Sequence, residues 1–356
     1  MPRDRGCSGS TSTDGTVTTI GLDVGGTKIL GVARADDGSI VDELRVESAH
    51  DEARLLAAMA EVAGQLASAN RANAVGVGIA GLVTPDGRLR YGPNLPQVEE
   101  VDVRGEMARR TGLPVVVDND ANVAGFAEVA QGAARGARDA LVVTLGTGIG
   151  GAIVVGGRIL RGATGFAGEI GHWTVQRGGP RCACGADGHW EAIASGSALG
   201  RLARERVAAG VGGAIGEPYD GYAVVVAARA GDIVAIDLIA EYADNVAIGL
   251  AGLATILDPE CIVVGGGVVE MGELLFAPLR RAFVGHLEGE THRPEIALLP
   301  AVLGERAGAI GAAALAALTF SASVGAGLRR EGSGDERSGD EGSGDEGSGD
   351  EVASRG

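Results

Sequence analysis

The sequence predicts an α/β protein with two lobes and a cleft between them. The chain has 356 residues, which is longer than one hydrophobic core usually extends. Apolar runs of strand length alternate with segments of helical periodicity. A unit of strand, glycine-rich turn and strand also occurs twice. This duplication predicts two related domains whose glycine-rich tips face one cleft.

The first half reads as one lobe, over residues 17–125. Short apolar runs that end at Val24 and begin at Ile29 and Ile40 predict an antiparallel meander, because only turn residues separate them. Further elements follow in the order helix 51–71, strand 74–81, helix near 102–112 and strand 113–120.

The second half, over residues 126–325, repeats this beginning with strands at 140–145 and 152–160 around "GTGIGG". The later elements are predicted as helices near 191–209, 221–230 and 232–256, strand 261–268, a helix from about 272, strand 295–301 and a final helix. Residues 307–328 form an uncharged segment that is long enough to span a membrane. Because alanine and glycine favour insertion very little, we expect a closely packed C-terminal helix instead.

Charge and composition exclude several classes of partner. The formal net charge of −17 opposes binding to nucleic acid or to an acidic membrane. Residues 1–16 are polar and carry no apolar leader, so we expect a disordered segment and a cytoplasmic location. A pentapeptide repeat from Glu331 holds most of the acids near the C-terminus, and residues 326–356 are predicted to be a disordered acidic tail.

The first glycine-rich turn, "DVGGTK", has the composition of a phosphate-binding loop. Its glycines allow backbone N–H groups to approach an anion. Asp23, Thr27 and Lys28 are suited to orient hydrated Mg²⁺, bind phosphate oxygens and add positive charge. The alternative is a purely structural hairpin. The predicted nucleotide-binding residues here are Asp23, Gly25, Gly26, Thr27 and Lys28.

Two further glycine clusters are candidates for the same role. Gly146, Gly148 and Gly151 satisfy G-x-G-x-x-G, but β-branched residues follow instead of the helix that a dinucleotide fold requires. A second phosphate-binding hairpin is therefore favoured, and "VVGGGV" could lie against a ring system or ribose. The predicted residues are Gly146, Thr147, Gly148, Gly265, Gly266 and Gly267.

Seven motifs, in order, resemble those of the ROK family of sugar kinases and repressors. They are "DVGGTK", "GPNLP", "DNDAN", "TLGTGIGG", "GEIGH", "CACGADGHWE" and "VVGGGV", between about residues 17 and 320. The resemblance implies a two-lobed actin-like and hexokinase-like (ribonuclease H-like) ATPase fold, ATP with Mg²⁺ as cofactors, and phosphorylation of a sugar hydroxyl.

The "DNDAN" motif lies at the end of a predicted strand, where α/β sheets gather ligands. A carboxylate there could accept the proton of an attacking hydroxyl. The alternative is that these Asx residues cap the following helix. The resemblance implies that Asp120 is the general base and that Asn119 binds the sugar, with Asn94 as a possible neighbour.

A cluster of His and Cys predicts a structural zinc site in the loop 172–189. His172, Cys182, Cys184 and His189 can fill a tetrahedral shell and leave no position for water. The alternative is buried free cysteines and incidental histidines. In the resembling family the third cysteine of the motif stands where this chain has His189. The resemblance also assigns sugar hydroxyls to Glu169, Glu191 and the shared His172.

These observations together predict an ATP-dependent hexose kinase, most specifically a glucokinase that phosphorylates the 6-hydroxyl of glucose. Alternatives are a kinase for fructose, mannose or an N-acetylhexosamine, and a glucokinase that uses polyphosphate. A sugar-sensing repressor is a further alternative, but "DVGG" begins at Asp23 and leaves no room for a helix-turn-helix before it. The resemblance suggests a homodimer or homotetramer.

Overall fold

The computed structural model describes residues 17–92, 95, 97–289 and 291–330, with side chains as far as Phe320. The predicted segment 1–16, the repeats from Glu331 onward and the candidate sugar ligand Asn94 lie outside the described residues.

Strands and helices alternate along the described chain. The strands are β1 (Thr18–Val24), β2 (Lys28–Ala35), β3 (Ile40–Glu47), β4 (Ala74–Ile79), β5 (Leu82–Val83), β6 (Arg88–Tyr91), β7 (Val101–Asp102), β8 (Val115–Asn119), β9 (Ala140–Leu145), β10 (Ile149–Val155), β11 (Arg158–Ile159), β12 (Cys261–Gly265) and β13 (Ala297–Pro300). The α-helices are α1 (Glu52–Asn70), α2 (Val103–Thr111), α3 (Asp120–Gln131), α4 (Trp190–Ala194), α5 (Gly196–Ala208), α6 (Gly221–Arg229), α7 (Ile233–Leu257), α8 (Glu273–His286) and α9 (Ala307–Arg330). The predicted α/β class is confirmed.

Two five-stranded sheets have the same topology. Their orders are β3-β2-β1-β4-β8 and β11-β10-β9-β12-β13. In each sheet the first three strands are antiparallel and the last two run parallel to the central strand. The duplicated hairpin that the sequence predicts is therefore confirmed, and it extends to the whole order of strands.

Helix α1 shows how local sequence fixes an element. Asp51 caps it, because the side chain accepts a 3.0 Å hydrogen bond from the backbone N–H of Arg54. The helix ends at Arg71, which adopts the left-handed conformation. One face is apolar and buried: Leu55, Leu56, Met59, Val62, Ala63 and Leu66. This face packs on the first sheet and belongs to its core.

The C-terminal helix packs on the first sheet. Gly21 in β1 pairs with Gly76 in β4, and a Cβ atom at either position would lie 1.9 Å from a backbone oxygen of α9. Thr19 also donates a hydrogen bond of 3.0 Å to the carbonyl of Ala313. The sequence analysis assigned this helix to the second lobe, and this assignment was wrong. Because these strand positions carry no side chain, the backbone of the helix can approach the sheet closely. This contact joins residues that are distant in sequence.

The predicted lobe boundary near residue 125 falls inside α3, which packs against both sheets. A Cβ at Gly125 would lie 2.3 Å from Cβ of Ala152 in β10, while the Val123 side chain occupies the space beside Gly78 in β4. No linker therefore separates the lobes at this position.

Three further details differ from the sequence prediction. The helix expected over 191–209 is split, because Ser195 ends α4 and caps α5 through the backbone N–H of Ala198. Strands β5, β6 and β7 form a small sheet that was not predicted. Helix α9 continues to Arg330, past the predicted start of the tail at residue 326. Among the described residues, no helix combines the length and apolarity that crossing a membrane requires.

Candidate active site

The "DNDAN" segment lies where β8 ends and α3 begins. Asn119 caps the helix, because its Oδ1 accepts a 3.1 Å hydrogen bond from the backbone N–H of Asn122. Its amide nitrogen donates to the carbonyl of Gly81 at 3.0 Å. The capping role that the sequence left open is thus confirmed for Asn119. Asp120 is fixed as the first residue of the helix.

Asp120 is a partly buried carboxyl with a raised pKa. Burial is the main cause of the rise, and hydrogen bonds from the backbone N–H of Ala121 and from the Asn119 side chain oppose it. Asp23 at the end of β1 is its electrostatic neighbour: the pKa of Asp23 is raised to about 7, chiefly by burial and also by Asp120, while Lys28 partly opposes the rise. The two predicted catalytic and cation-orienting carboxylates therefore share one desolvated region.

Glu169 directly precedes a single 3-10 turn, Ile170–His172, and His172 is the last residue of that turn. Burial raises the pKa of Glu169; His172 lowers it, while Asp120 and Glu191 raise it further. These couplings place the predicted sugar ligands in one electrostatic cluster with the predicted base. Nε2 of His172 lies 4.0 Å from the Glu169 carboxylate, so this ring nitrogen is directed to the acidic cluster.

The four predicted zinc ligands come together. Within the described residues, the side-chain ligand atoms of His172, Cys182, Cys184 and His189 all lie within 4.8 Å of one another. Sγ of Cys182 is 3.8 Å from Nδ1 of His172, and Sγ of Cys184 is 3.2 Å from Nδ1 of His189. Tetrahedral Zn²⁺ with ordinary bond lengths separates its ligands by roughly 3.3–3.8 Å. The set therefore fits zinc, and His172 has its other nitrogen free toward Glu169.

Two tryptophans hold this loop on α7. Trp173 and Trp190 directly follow His172 and His189, the two histidines of the cluster. The Trp190 ring occupies the space beside Gly249, and the Trp173 ring occupies the space beside Gly252. Nε1 of Trp190 donates a 3.0 Å hydrogen bond to the carbonyl of Asn245. The histidines are thus anchored to the core of the second half of the chain.

A cavity of about 580 Å³ is lined by residues from two of the glycine clusters. Gly146 and Thr147 line it from the tip between β9 and β10, and Gly267 lines it from the turn after β12. Gly148 faces elsewhere, because a Cβ there would lie 2.3 Å from the Glu191 carboxylate. Gly266 has a φ of 85°, a left-handed backbone conformation that favours glycine in this turn. The cavity has the size of a small-ligand site.

Sequence reasoning missed the polar side chains of this cavity. They come from helices α5 and α6 and from the turn after β12, namely Ser197, Arg204, Asp220, Tyr222, Arg229 and Glu270. Tyr222 was a signal in the sequence, since it is the one aromatic residue of the predicted helix 221–230.

The first glycine turn does not line this cavity. Gly25 closes a tight turn by donating a 3.0 Å hydrogen bond to the carbonyl of Lys28. The Lys28 ammonium lies 2.9 Å from Glu305, which also pairs with Arg45. Asp23 lies against Gly308, near the start of α9, where a helix N-terminus favours negative charge.

Comparison with known proteins accounts for this arrangement. The ROK family model matches residues 19–318. The chain belongs to the ROK family. A glucokinase from Streptomyces coelicolor is 37% identical over 308 residues, which cover 84% of this chain and 97% of that protein.

Solved structures of ROK proteins share the fold. A glucokinase from Streptomyces griseus, in complex with glucose and AMPPNP, has 38% identity and a TM-score of 0.74, covering 85% of this chain and 99% of its own. A ROK hexokinase from Thermus thermophilus has 36% identity and a TM-score of 0.73, covering 86% and 100%. This ROK protein therefore has the two-lobed hexokinase-like fold, and it is a sugar kinase.

Proposed function

We propose that this ROK protein is an ATP-dependent glucokinase that transfers the γ-phosphoryl group of ATP to the 6-hydroxyl of glucose. The observation that carries the proposal is a partly buried carboxyl, Asp120, at a strand end, which is electrostatically coupled to Glu169 in a chain that also has a glycine-lined cavity. Glucose as the substrate is supported by the relatives from two Streptomyces species.

In this proposal Asp120 is the general base. Its raised pKa makes the carboxylate a better proton acceptor than an ordinary Asp. The 6-hydroxyl oxygen attacks the γ-phosphorus, its proton passes to Asp120, and the bond from the γ-phosphorus to the bridging oxygen of ADP breaks. Because phosphoryl transfer requires little covalent chemistry from the protein, positioning of the hydroxyl is the main task of this group.

Glu169, Glu191 and His172 are proposed to bind glucose, together with Asn119. Each carboxylate can accept hydrogen bonds from two hydroxyls. His172 would use Nδ1 for zinc and present Nε2 to the sugar, which the 4.0 Å separation of Nε2 from Glu169 supports. Asn94 stays a candidate by resemblance alone.

The nucleotide is proposed to occupy the cavity of about 580 Å³. Gly146, Thr147 and Gly265–Gly267 would give its phosphates and sugar a surface without side chains, and Gly25–Lys28 would contact the phosphates from the first lobe. Asp23 would hold hydrated Mg²⁺. Mg²⁺, when bound, supplies positive charge to the phosphate oxygens.

A structural zinc ion is proposed at His172, Cys182, Cys184 and His189, on the strength of their clustering. Burial raises the pKa of the Cys182 thiol to about 11, with contributions from Cys184 and Glu191. A bound cation would favour the thiolate instead. We further propose a homodimer or homotetramer, and a cytoplasmic location because ATP is abundant there.

The test is a sugar panel assayed with Mg²⁺·ATP and, separately, with polyphosphate. The panel contains glucose, fructose, mannose, N-acetylglucosamine and N-acetylmannosamine, with product identified by NMR. Glucose 6-phosphate formed from glucose with the highest kcat/KM supports the proposal. A higher kcat/KM for another sugar favours a kinase for that sugar, and a higher kcat/KM with polyphosphate than with ATP favours a polyphosphate-using glucokinase. Absence of turnover with every sugar favours the repressor.

A further inference from the structure

One partly buried ion pair joins the strand that leads to Asp120 with the loop that leads to Glu169. Nε of Arg161 donates to Oδ2 of Asp118 at 2.8 Å, and a terminal nitrogen of the same guanidinium is 2.6 Å from the same oxygen. Asp118 is only 4% exposed. The sequence did not single out Arg161, and it offered Asp118 only as one of the Asx residues that could cap the following helix.

On the strand side, Asp118 organises the beginning of α3. Its Oδ1 accepts hydrogen bonds from the backbone N–H of Asn119 at 2.8 Å and from the side-chain amide of Asn122 at 2.9 Å. Asn119 in turn caps the helix whose first residue is Asp120. The orientation of Asp120 therefore depends on the Asp118 carboxylate. Asn119 and Asn122 donate to one oxygen of this carboxylate, and Arg161 donates to the other.

On the loop side, Arg161 anchors the base of the segment that ends at Glu169. Its carbonyl accepts a 3.1 Å hydrogen bond from the N–H of Ala167, which closes the loop. A Cβ at Gly165 would lie 2.3 Å from the carbonyl of Val83, so the loop lies directly on β5. A Cβ at Gly168 would lie 3.6 Å from the buried Oδ1 of Asn122, which places this end of the loop beside the same network.

We propose that Asp118 and Arg161 are positioning residues. They hold the carboxylates of Asp120 and Glu169 in the relative position that lets both contact one sugar molecule. This inference rests on the proposed function, because it assigns those two carboxylates to the base and the sugar site. Arginine suits the task, since two nitrogens of its planar guanidinium converge on one carboxylate oxygen and fix orientation as well as distance. Because Asp118 is buried, the ion pair is also less exposed to the solvent screening that weakens surface pairs.

The test compares Arg161→Gln, Asp118→Asn and the double variant, with Arg158→Gln as the matched control. Arg158 is an exposed arginine on the same hairpin that makes no ion pair among the described residues. Because displacement of a reacting group by about 1 Å can cost about 100-fold in rate, we expect each single variant to lower kcat/KM for glucose by about 10- to 100-fold. We expect KM for ATP to change by less than about threefold, since neither residue lines the nucleotide cavity.

The double variant tests coupling and also guards against misfolding, because it leaves no unpaired buried charge. If the two residues act as a pair, the double variant is no slower than the slower single variant. Arg161→Lys should recover only part of the activity, because lysine keeps the charge but not the fork.

Chemical rescue separates positioning from simple stability. Asp118 and Arg161 line a cavity of about 590 Å³, so truncation in Arg161→Ala leaves a space that guanidinium can enter. Added guanidinium at low millimolar concentration should restore kcat/KM for glucose, whereas the same concentration of sodium should not.

Wild-type enzyme and Asp120→Asn are assayed in parallel, so that the two proposals fail separately. If the wild type does not phosphorylate glucose, the proposed function fails. If the wild type is active and a folded Arg161→Gln retains its glucose kcat and KM, the positioning role is wrong. The positioning role is also wrong if kcat/KM for glucose and kcat/KM for ATP decrease to the same extent and guanidinium restores neither of them.

Discussion

The carboxylate of Glu191 accepts a 2.9 Å hydrogen bond from the backbone N–H of Ile149. Ile149 follows Gly148 at the tip of the second glycine-rich hairpin, and Glu191 lies in the first turn of α4, directly after the candidate zinc loop. The other oxygen of Glu191 lies 3.4 Å from Sγ of Cys182. One side chain thus connects the glycine tip, the candidate metal site and the candidate sugar site, so changes in any of them should affect glucose binding.

Gly148→Ala should raise KM for glucose, although sequence reasoning assigned Gly148 to the nucleotide. A Cβ there would lie 2.3 Å from the Glu191 carboxylate and displace it. Loss of a charge-assisted hydrogen bond costs about 1.5–3 kcal/mol, which corresponds to about 10- to 100-fold in KM. Gly146→Ala is the matched control, since a Cβ at Gly146 meets no atom within 4 Å. Equal glucose KM values for the two variants in steady-state assays would contradict the role of Glu191.

Removal of zinc should weaken glucose binding more than ATP binding. The metal would fix the ring of His172, whose Nε2 lies on the side of Glu169. We expect about one zinc per chain by elemental analysis, and a rise in glucose KM of about 10-fold or more after chelation. Both tryptophans flank the histidine ligands, so their fluorescence reports whether the loop stays folded. Cys184→Ser should reproduce the effect, and Cys261→Ala should not, because Cys261 lies in β12 outside the cluster.

Asp120→Asn should lower kcat by about 10²- to 10⁴-fold and leave glucose affinity by calorimetry within about threefold. In the wild type, the raised pKa of Asp120 means that the carboxyl takes up its proton at a higher pH than an ordinary Asp. The base is therefore lost as the pH falls through that value, and kcat/KM should decline on the acid side above the usual range for Asp. An Asn variant that retains full activity would refute the assignment.

Asp23→Asn should stabilise the nucleotide-free protein near neutral pH. The folded-state pKa of Asp23 is about 7 against an ordinary value of 3.8, so between these values the folded state binds more protons than the unfolded state. The stability contribution of the wild-type carboxyl therefore decreases as pH rises from about 4 to about 7. Urea unfolding across this range should show a difference between the variant and the wild type that grows with pH. A difference that is independent of pH would contradict the buried carboxyl.

Gly76→Ala should be strongly destabilising, because its Cβ would lie 1.9 Å from the carbonyl oxygen of Ala312. Overpacking of this kind typically costs 1–3 kcal/mol or more. Gly64→Ala is the matched opposite: Gly64 lies inside α1 with no atom within 4 Å of its Cβ position, so the substitution should stabilise by about 0.5–1 kcal/mol. Denaturant unfolding measures both, and a mild effect at Gly76 would show that α9 is not held closely on the sheet.

The sequence by itself determined the strands of the two five-stranded sheets, most helices, the duplicated hairpin and the four clustered zinc-ligand candidates. Each of these depends on residues near one another in the chain: apolar periodicity, turn glycines, helix caps, and ligands within eighteen positions. The ROK motifs also carried the family assignment, because seven short patterns in fixed order are specific.

Only the tertiary structure decided the contacts between distant segments. It placed α9 on the first sheet through Gly21 and Gly76, turned Gly148 toward Glu191, paired Lys28 with Glu305, and joined Asp118 to Arg161 across 43 positions. A glycine or a charged residue looks the same in sequence whether it lies beside a phosphate, a helix or an ion-pair partner. What distinguishes these cases is the identity of the neighbouring atoms, and that follows from how the elements pack.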